Sequence, residues 1–319
     1  MKKVLFATTA LVASAGFAAA DVDLSGSAEI GVVGGDFHGG ETQFWSDIDV
    51  TFTLSGETDN GLTFGATIDL DEVGDDADAS ATSGDPIGET GSGEEHSVFL
   101  SGSFGTITMG DTDGAFDWAL SEVALAGGTI NDAETEHGGY SGNSGLDGTY
   151  DGQIVRYDHS VGDFSFAVSA EIDDSGAGDA VLGLGGQYSG DLGGVTLGVG
   201  LGYQTNDARD IFGISLTAAM DNGFSVGLNY SDLDGGVIRG EGRDSHMAIG
   251  VAYTMDALTV AANYGEYDGT TAAGDEDGFG ILVNYDLGGG AVVQAGYGSG
   301  YDLGSSTGER WSLGVAMSF

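Results

Sequence analysis

Carboxylates are concentrated in one long segment, residues 112–151, which contains no Lys or Arg. The candidate functional residues are acidic side chains of this segment, together with the aspartate that precedes it: Asp111, Asp113, Asp117, Glu122, Asp132, Glu134 and Glu136. A ring of Asp or Glu in a low-dielectric wall attracts cations and repels anions, because the wall focuses the electric field. These residue types therefore favour the selective attraction of cations.

Three short acidic patterns could bind a hard cation. The pattern Asp-x-Asp-Gly occurs at residues 111–114, 232–235 and 275–278. Carboxylate oxygens on short turns suit Ca²⁺, which makes calcium a candidate cofactor. Its candidate ligands are Asp111, Asp113, Asp232, Asp234, Asp275 and Asp277. The alternative is that the patterns are ordinary turns, since Asp and Gly are common turn residues and Phe116 stands where a calcium loop needs its glycine.

Catalytic motifs are weak in this chain. Residues 304–308 match the nucleophile elbow Gly-x-Ser-x-Gly, but that motif needs a helix after it and a strand is predicted here instead. The five histidines include no His-x-x-x-His pair, and His38, His96 and His137 are predicted to be solvated loop residues. We therefore expect no enzymatic activity.

The composition excludes several classes of protein. The 319 residues include 61 Gly, one Pro and no Cys, and the net charge is −44. Nucleic-acid partners are excluded because almost no Lys or Arg is available to displace counterions. Disulfides are impossible. A hydrophobic content of 40% is too high for a disordered acidic chain.

The first twenty residues have the pattern of a secretory signal peptide. Lys2 and Lys3 precede the apolar run 4–17, and three alanines end the segment before Asp21. The remaining domain, residues 21–319, has five Arg and no Lys. No later segment approaches the roughly 20 apolar residues of a membrane-spanning helix. We therefore expect an exported protein without a helical anchor.

Apolar residues recur at every second position through most of residues 21–319, which indicates β-strands. Only one short helix, around residues 116–125, is predicted. The alternation predicts sixteen strands, at 22–34, 43–57, 61–71, 96–103, 106–111, 152–160, 163–173, 179–189, 195–205, 210–220, 224–233, 245–255, 258–267, 277–287, 291–299 and 310–319.

Even-numbered strands lead into short turns and most odd-numbered strands into longer acidic loops, as in an up-and-down barrel. Sixteen strands enclose too much volume for their small polar residues to fill. We therefore predict a transmembrane barrel with its apolar face outward and aromatic girdles that include Trp45. The polar face, predicted to line the lumen, carries Glu29, Asp47, Asp49, Asp69, Asp71, Arg156, Asp158, Glu171, Asn229, Asn263, Asn284, Gln294 and Arg310.

The acidic segment 112–151 is far longer than a usual connection, which indicates a functional loop. A loop of this length can fold into the lumen and narrow it. We therefore predict that it forms the constriction, with Asp47, Asp49, Arg156, Asp158 and Arg310 on the facing barrel wall.

The chain resembles the general porins of alphaproteobacteria of the Rhodobacter type. The resemblance lies in residues 24–32, 50–66, 98–111 and 285–290 and in the terminal Phe319. It implies a homotrimer of 16-stranded barrels in the outer membrane of a Gram-negative bacterium, in contact with lipid and lipopolysaccharide. It also implies an inward third external loop and passive diffusion of small hydrophilic solutes.

One feature of that family is missing. Such porins usually oppose the acidic loop with an arginine cluster, partly on the second strand, where this chain has residues 45–49, Trp-Ser-Asp-Ile-Asp. Only Arg156 and Arg310 occupy the alternate strand positions that are predicted to face the lumen. The other three arginines are predicted in or near external loops. We therefore expect stronger cation selectivity than in a porin with the full cluster.

Two other functions are compatible with a barrel. A substrate-specific channel would show a track of aromatic or basic residues along the lumen, and an adhesin would show a plugged lumen or aromatic loop tips. Neither pattern is present, although Phe37, Trp118 and Tyr140 lie in loops. A saline habitat would also favour acidic loops without any role in selectivity.

Overall fold

The computed structural model describes residues 21–72, 94–150, 152–238, 241–269, 275–301 and 307–319. Within them, sixteen strands form one closed antiparallel barrel, because every strand pairs with its sequence neighbours and the first also pairs with the last. The predicted fold class is thereby confirmed. The predicted signal peptide, residues 1–20, lies outside the described residues, and its cleavage stays a prediction.

The strands are β1 (Asp21–Gly35), β2 (Gln43–Glu57), β3 (Thr63–Glu72), β4 (Glu94–Gly102), β5 (Gly105–Asp111), β6 (Gln153–Val161), β7 (Phe164–Glu171), β8 (Val181–Asp191), β9 (Val195–Asn206), β10 (Arg209–Met220), β11 (Phe224–Ile238), β12 (Glu241–Met255), β13 (Leu258–Gly269), β14 (Glu276–Gly288), β15 (Ala291–Tyr301) and β16 (Thr307–Ser318). Helix α1 covers Ala115–Ala119, and 3-10 turns cover Asp36–His38 and Ile130–Asp132. No helix among the described residues has the length and hydropathy needed to cross a membrane.

Three elements differ clearly in length from their predictions. Helix α1 ends at Ala119, well before the predicted limit, because Leu120 is extended with φ −94° and ψ 144°. Strands β11 and β12 are longer than predicted, since pairing resumes after an irregularity and joins Gly236 to Arg243. The alternation of apolar residues is lost there, although the backbone ladder continues.

The two faces of the barrel differ as the alternation predicts. Outward Leu184, Leu228 and Ile249 are 54%, 44% and 44% exposed, whereas inward Gln204 and Asn229 are 0% and 4% exposed. Burial of polar side chains on the inner face requires hydrogen-bond partners there. These partners come from the long loop between β5 and β6.

One aromatic residue was assigned to the wrong face. Trp45 lies two and four residues before Asp47 and Asp49 in the same strand, and therefore on the same, inward face. Its Nε1 donates a 2.9 Å hydrogen bond to Oε2 of the inward Glu29. The prediction of Trp45 as a girdle residue is therefore wrong, because its indole N–H has a carboxylate partner on the polar face. Tyr253 and Tyr285, by contrast, point outward, with 42% and 52% exposure.

A charge on the outward face should be far more costly than one on the adjacent inward position. We expect Leu216→Arg, in the middle of β10, to lower the free energy of unfolding in phospholipid vesicles by about 2–4 kcal/mol. The inward neighbour variant Thr217→Arg should lower it by less than about 1 kcal/mol, as lumen positions tolerate charge. Urea titration of both variants measures this, and equal losses would contradict the assignment of faces.

Candidate functional site

The loop between β5 and β6, hereafter the inner loop, is described over residues 112–150 and at Gly152. It leaves β5, runs along the inner wall from β7 to β16, and reverses at Ile130–Asp132 beside β1. It then returns along the same strands to β6. The inner loop therefore lies inside the barrel, along the wall.

Neutral polar side chains of the wall hold the outgoing part of the inner loop. Ser169 Oγ accepts a hydrogen bond from Ala115 N, and Ser215 Oγ accepts one from Ser121 N, both at 2.8 Å. Asn284 Nδ2 donates to Gly128 O at 2.8 Å. The wall therefore satisfies backbone groups that would be costly to bury unpaired.

The returning part is held in the same way. Asn263 Nδ2 donates to Glu134 O at 3.0 Å, Asn229 Nδ2 donates to Asn143 Oδ1 at 2.9 Å, and Gln204 Oε1 accepts from Leu146 N at 2.6 Å. The alternation of the sequence predicts that Asn229 and Asn263 face inward, but their pairing with the inner loop had no local signal.

Glycines form a track on the inner wall beneath the inner loop. The members of this glycine track are Gly183, Gly185, Gly200, Gly202, Gly213, Gly227, Gly250, Gly265, Gly278, Gly280, Gly296, Gly298, Gly314 and Gly31. A Cβ at Gly185 or Gly200 would overlap the carbonyl oxygen of Ala115 or Ala119. The loop backbone can therefore touch the wall only because the wall lacks side chains at these positions.

A small apolar cluster fixes the start of the inner loop. Phe116, 1% exposed, packs with Leu120 and Leu146 against Val181 and Ile211 of the wall. These wall residues are apolar although they face inward. They interrupt the alternation of polar and apolar residues where the loop covers them.

The predicted constriction acids occupy different environments. Asp113 and Asp132 are exposed, whereas Glu134 is 1% exposed and accepts a hydrogen bond from the Thr129 hydroxyl. Glu122 accepts one from the Tyr140 hydroxyl. Asp111 is exposed at the end of β5. The structure therefore divides this set into lumen-facing and buried carboxyls.

Both arginines that were predicted to face the lumen, Arg156 and Arg310, reach the inner loop. Arg156 Nη1 donates to Asp113 O at 2.6 Å and its Nε lies 3.5 Å from Asp158 Oδ1. Arg310 Nη1 lies 2.9 Å from Glu136 Oε2. Each guanidinium is thus paired with a carboxylate, which reduces its effect on ions in the lumen.

Strands β2 and β3 present carboxylates on the part of the wall next to the loop tip. Asp47, Asp49 and Asp69 are inward and half-buried. Ser27 Oγ donates to Asp49 Oδ2 at 2.7 Å, and Thr51 Oγ1 donates to Asp69 Oδ1 at 3.0 Å.

Three loop carboxyls have strongly shifted pKa values. The pKa of Asp132 is raised to about 6, first by desolvation beside the wall and then by the like charges of neighbouring acids. The pKa of Asp117 is raised to about 8, first by burial and then by the like charges of Asp113, Asp147 and Glu122. Burial raises the pKa of Asp147 to about 6, although Gly114 N and Gln204 donate hydrogen bonds to it. Asp117 is therefore largely protonated at neutral pH.

Two further expectations were wrong. Arg243 was predicted in or near an external loop, but it lies in β12, is 2% exposed and pairs with Glu276 beneath the Tyr267 ring. His137 was predicted to be solvated, but it is 8% exposed and its Nε2 lies 2.7 Å from Asn263 Oδ1. The inner loop buries His137 against the wall, and burial lowers its pKa.

The calcium ligands remain a prediction. Among the residues the structure describes, no group of three or more His, Asp or Glu converges in a way that suits a metal ion. Asp232 and Asp277 are exposed, and Asp275 Oδ1 accepts a hydrogen bond from Gly269 N at 3.0 Å. The side chains of Asp234 and Asp71 lie outside the described part.

Comparisons with known proteins match most of the chain. The profile of a family described as Gram-negative porin matches residues 7–304. The porin of Rhodobacter capsulatus is 29% identical over 306 residues, covering 86% of this chain and 93% of that porin. A porin structure refined at 1.8 Å is 25% identical, with a TM-score of 0.68 over 93% of this chain and 100% of the other. A mutant of the Rh. blastica porin, 21% identical with a TM-score of 0.69, has the same fold and the same coverage.

Two adjacent glycines of β8 provide a matched test of the glycine track. Gly185→Val should displace the inner loop, because its side chain would overlap the Ala115 carbonyl, whereas Gly186 has open space around its Cβ position. We expect Gly185→Val to increase proteolysis of the inner loop and to lower stability by about 1–3 kcal/mol. Gly186→Val should match the native protein. Equal proteolysis of the two variants would contradict the contact.

The pH dependence of the inner loop should follow Asp117. Its pKa is about 8 in the folded chain and 3.8 ordinarily, so the folded protein holds more protons between these values and its stability falls as pH rises through this window. We expect proteolysis of the inner loop to increase up to about pH 9 in the native protein and less steeply in Asp117→Asn. If the proteolysis rates of the native protein and of Asp117→Asn rose with pH in parallel, the Asp117 carboxyl would not be the cause of the pH dependence.

Proposed function

The chain belongs to the family of Gram-negative porins, and from this premise we propose that its lumen passes small hydrophilic solutes with a preference for cations. Family and fold are those of an outer-membrane diffusion channel rather than an enzyme. The cation preference is the part that this chain's own residues support.

The observation that carries the proposal is the unequal number of acidic and basic side chains inside the barrel. Arg156, Arg243 and Arg310 each pair with a carboxylate. Carboxylates outnumber these arginines, with Asp113 and Asp132 on the loop side and Asp49 and Asp69 on the wall side. A cation in the passage is therefore attracted from both sides, and no arginine cluster opposes the loop among the described residues.

The size of the effect follows from Coulomb's law. One carboxylate at about 10 Å contributes about 0.4 kcal/mol in water, and four together contribute about 1.6 kcal/mol. Without screening this enriches monovalent cations about fifteenfold, and screening at about 0.1 M salt reduces the factor to about threefold. The preference should therefore weaken as salt concentration rises.

Buried acids should contribute less to this preference than exposed ones. Asp117 is largely protonated at neutral pH, and Glu134 has a raised pKa because of burial. Asp113 and Asp132, together with the wall acids Asp47 and Asp49, are therefore proposed as the main determinants of selectivity, because a pKa of about 6 still leaves most of Asp132 ionised at neutral pH. Arg310 and Asp158 have the secondary role of balancing Glu136 and Arg156.

The family resemblance also supports three proposals outside the lumen. These are cleavage of residues 1–20, assembly into a homotrimer, and contact of the apolar outer face with lipid and lipopolysaccharide. The exposed outward leucines and isoleucines support burial of that face in lipid.

The reversal potential across a KCl gradient in a planar bilayer tests the cation preference. The native channel should be cation-selective, and the combined variant Asp47→Asn, Asp49→Asn, Asp113→Asn, Asp132→Asn should move the potential toward zero. A matched control removes the same four charges from the short turns, through Asn at Asp59, Asp163, Asp221 and Asp256. Equal shifts in both variants would assign the preference to overall charge, and an anion-selective native channel would refute it.

A further inference from the structure

We propose that Glu29 is the positioning residue that anchors the tip of the inner loop and thereby keeps the passage at a constant width. The tip is the turn Ile130–Asp132. The inference rests on conduction through this lumen, as proposed above, and it concerns the steadiness of the channel rather than its selectivity.

One carboxylate oxygen joins three segments of the chain. Glu29 Oε2 accepts a hydrogen bond from Trp45 Nε1 at 2.9 Å and another from Asn131 N at 3.0 Å. Glu29 lies on β1 and Trp45 on β2, so the acceptor is held by the paired wall strands. The tip is therefore attached to the wall through a hydrogen bond to a side-chain oxygen that the indole of Trp45 also holds.

The backbone of the tip needs such an anchor. Asn131 and Asp132 have φ angles of 54° and 44°, in the left-handed region that residues other than glycine rarely occupy. Two such residues in succession persist only where the surroundings hold them. The hydrogen bond from Asn131 N acts at the first of them.

Electrostatic repulsion acts against the anchored position. The Asp132 carboxylate interacts unfavourably with Glu134, Glu29, Glu136 and Asp47. This repulsion tends to drive the tip away from the acidic wall, and it strengthens at low ionic strength. The anchor and the burial of Ile130 above Gly31 and Gly314 hold the tip in place.

Loss of the anchor should leave a loop that is folded but mobile at its tip. The rest of the inner loop keeps its contacts with β7 to β15, including the bonds from Ala115 N and Ser121 N. We therefore expect fluctuation of the current through an open channel rather than loss of the channel.

Single-channel recording tests this with four variants. Glu29→Ala should increase the noise of the open-channel current, most strongly at low salt, and Trp45→Phe should increase it less. Glu29→Gln keeps an oxygen acceptor and should restore the quiet current while still reducing cation selectivity. Asp49→Ala removes a charge from the same wall and should change selectivity without adding noise. Equal noise in Glu29→Ala and Asp49→Ala would overturn the proposal.

Thiol labelling provides a readout that does not depend on conduction. The chain has no cysteine, and Ala133, beside the tip, is 0% exposed. In an Ala133→Cys background, we expect the thiol to react with maleimide about tenfold faster when Glu29→Ala is added. Loss of one hydrogen bond of this kind should make the exposed state of the tip about tenfold more populated. Unchanged labelling would overturn the anchor. If the native protein showed no conductance but Glu29→Ala still labelled faster, the proposed channel would be refuted and the proposed anchor would stand.

Discussion

The structure depends on the absence of side chains along one path of the inner wall. Carbonyl groups of the inner loop lie where the Cβ atoms of Gly185, Gly200, Gly250, Gly265 and Gly280 would otherwise be. Contact at this distance lets wall side chains such as Asn263 and Ser215 reach the loop backbone. The loop is thus held by many weak contacts, each of which requires a glycine or a short polar residue.

This placement determines the electrostatics of the lumen. By lying along β7 to β16, the inner loop keeps Glu134 buried and places Asp132 beside the acidic surface of β1 and β2. The same placement brings Glu136 to Arg310 and the Asp113 carbonyl to Arg156. Both arginines are therefore paired with acceptors. The excess of acidic over basic residues in the sequence thus becomes an excess of acidic side chains along the passage.

Sequence periodicity predicts the strands well because the direction of a side chain in a strand is set by the local backbone. Strand β9 was predicted at 195–205 and is found at Val195–Asn206. Residues whose environment depends on contacts distant in sequence were predicted poorly. His137 has no local signal for burial against Asn263, and Arg243 is buried because β11 and β12 extend beyond their alternating region. The Glu29–Trp45 bond could have been suspected from parity alone.

Exclusion of neutral polymers tests most directly whether the inner loop occupies the lumen. Poly(ethylene glycol) of graded size is added to both sides of a bilayer, and the reduction of single-channel conductance reports which sizes enter. A loop lying on the glycine track leaves only part of the lumen open, so only the smallest polymers should reduce conductance in the native channel, and larger ones should also do so in Gly185→Val. Free entry of polymers that fit an empty 16-stranded barrel would contradict this placement.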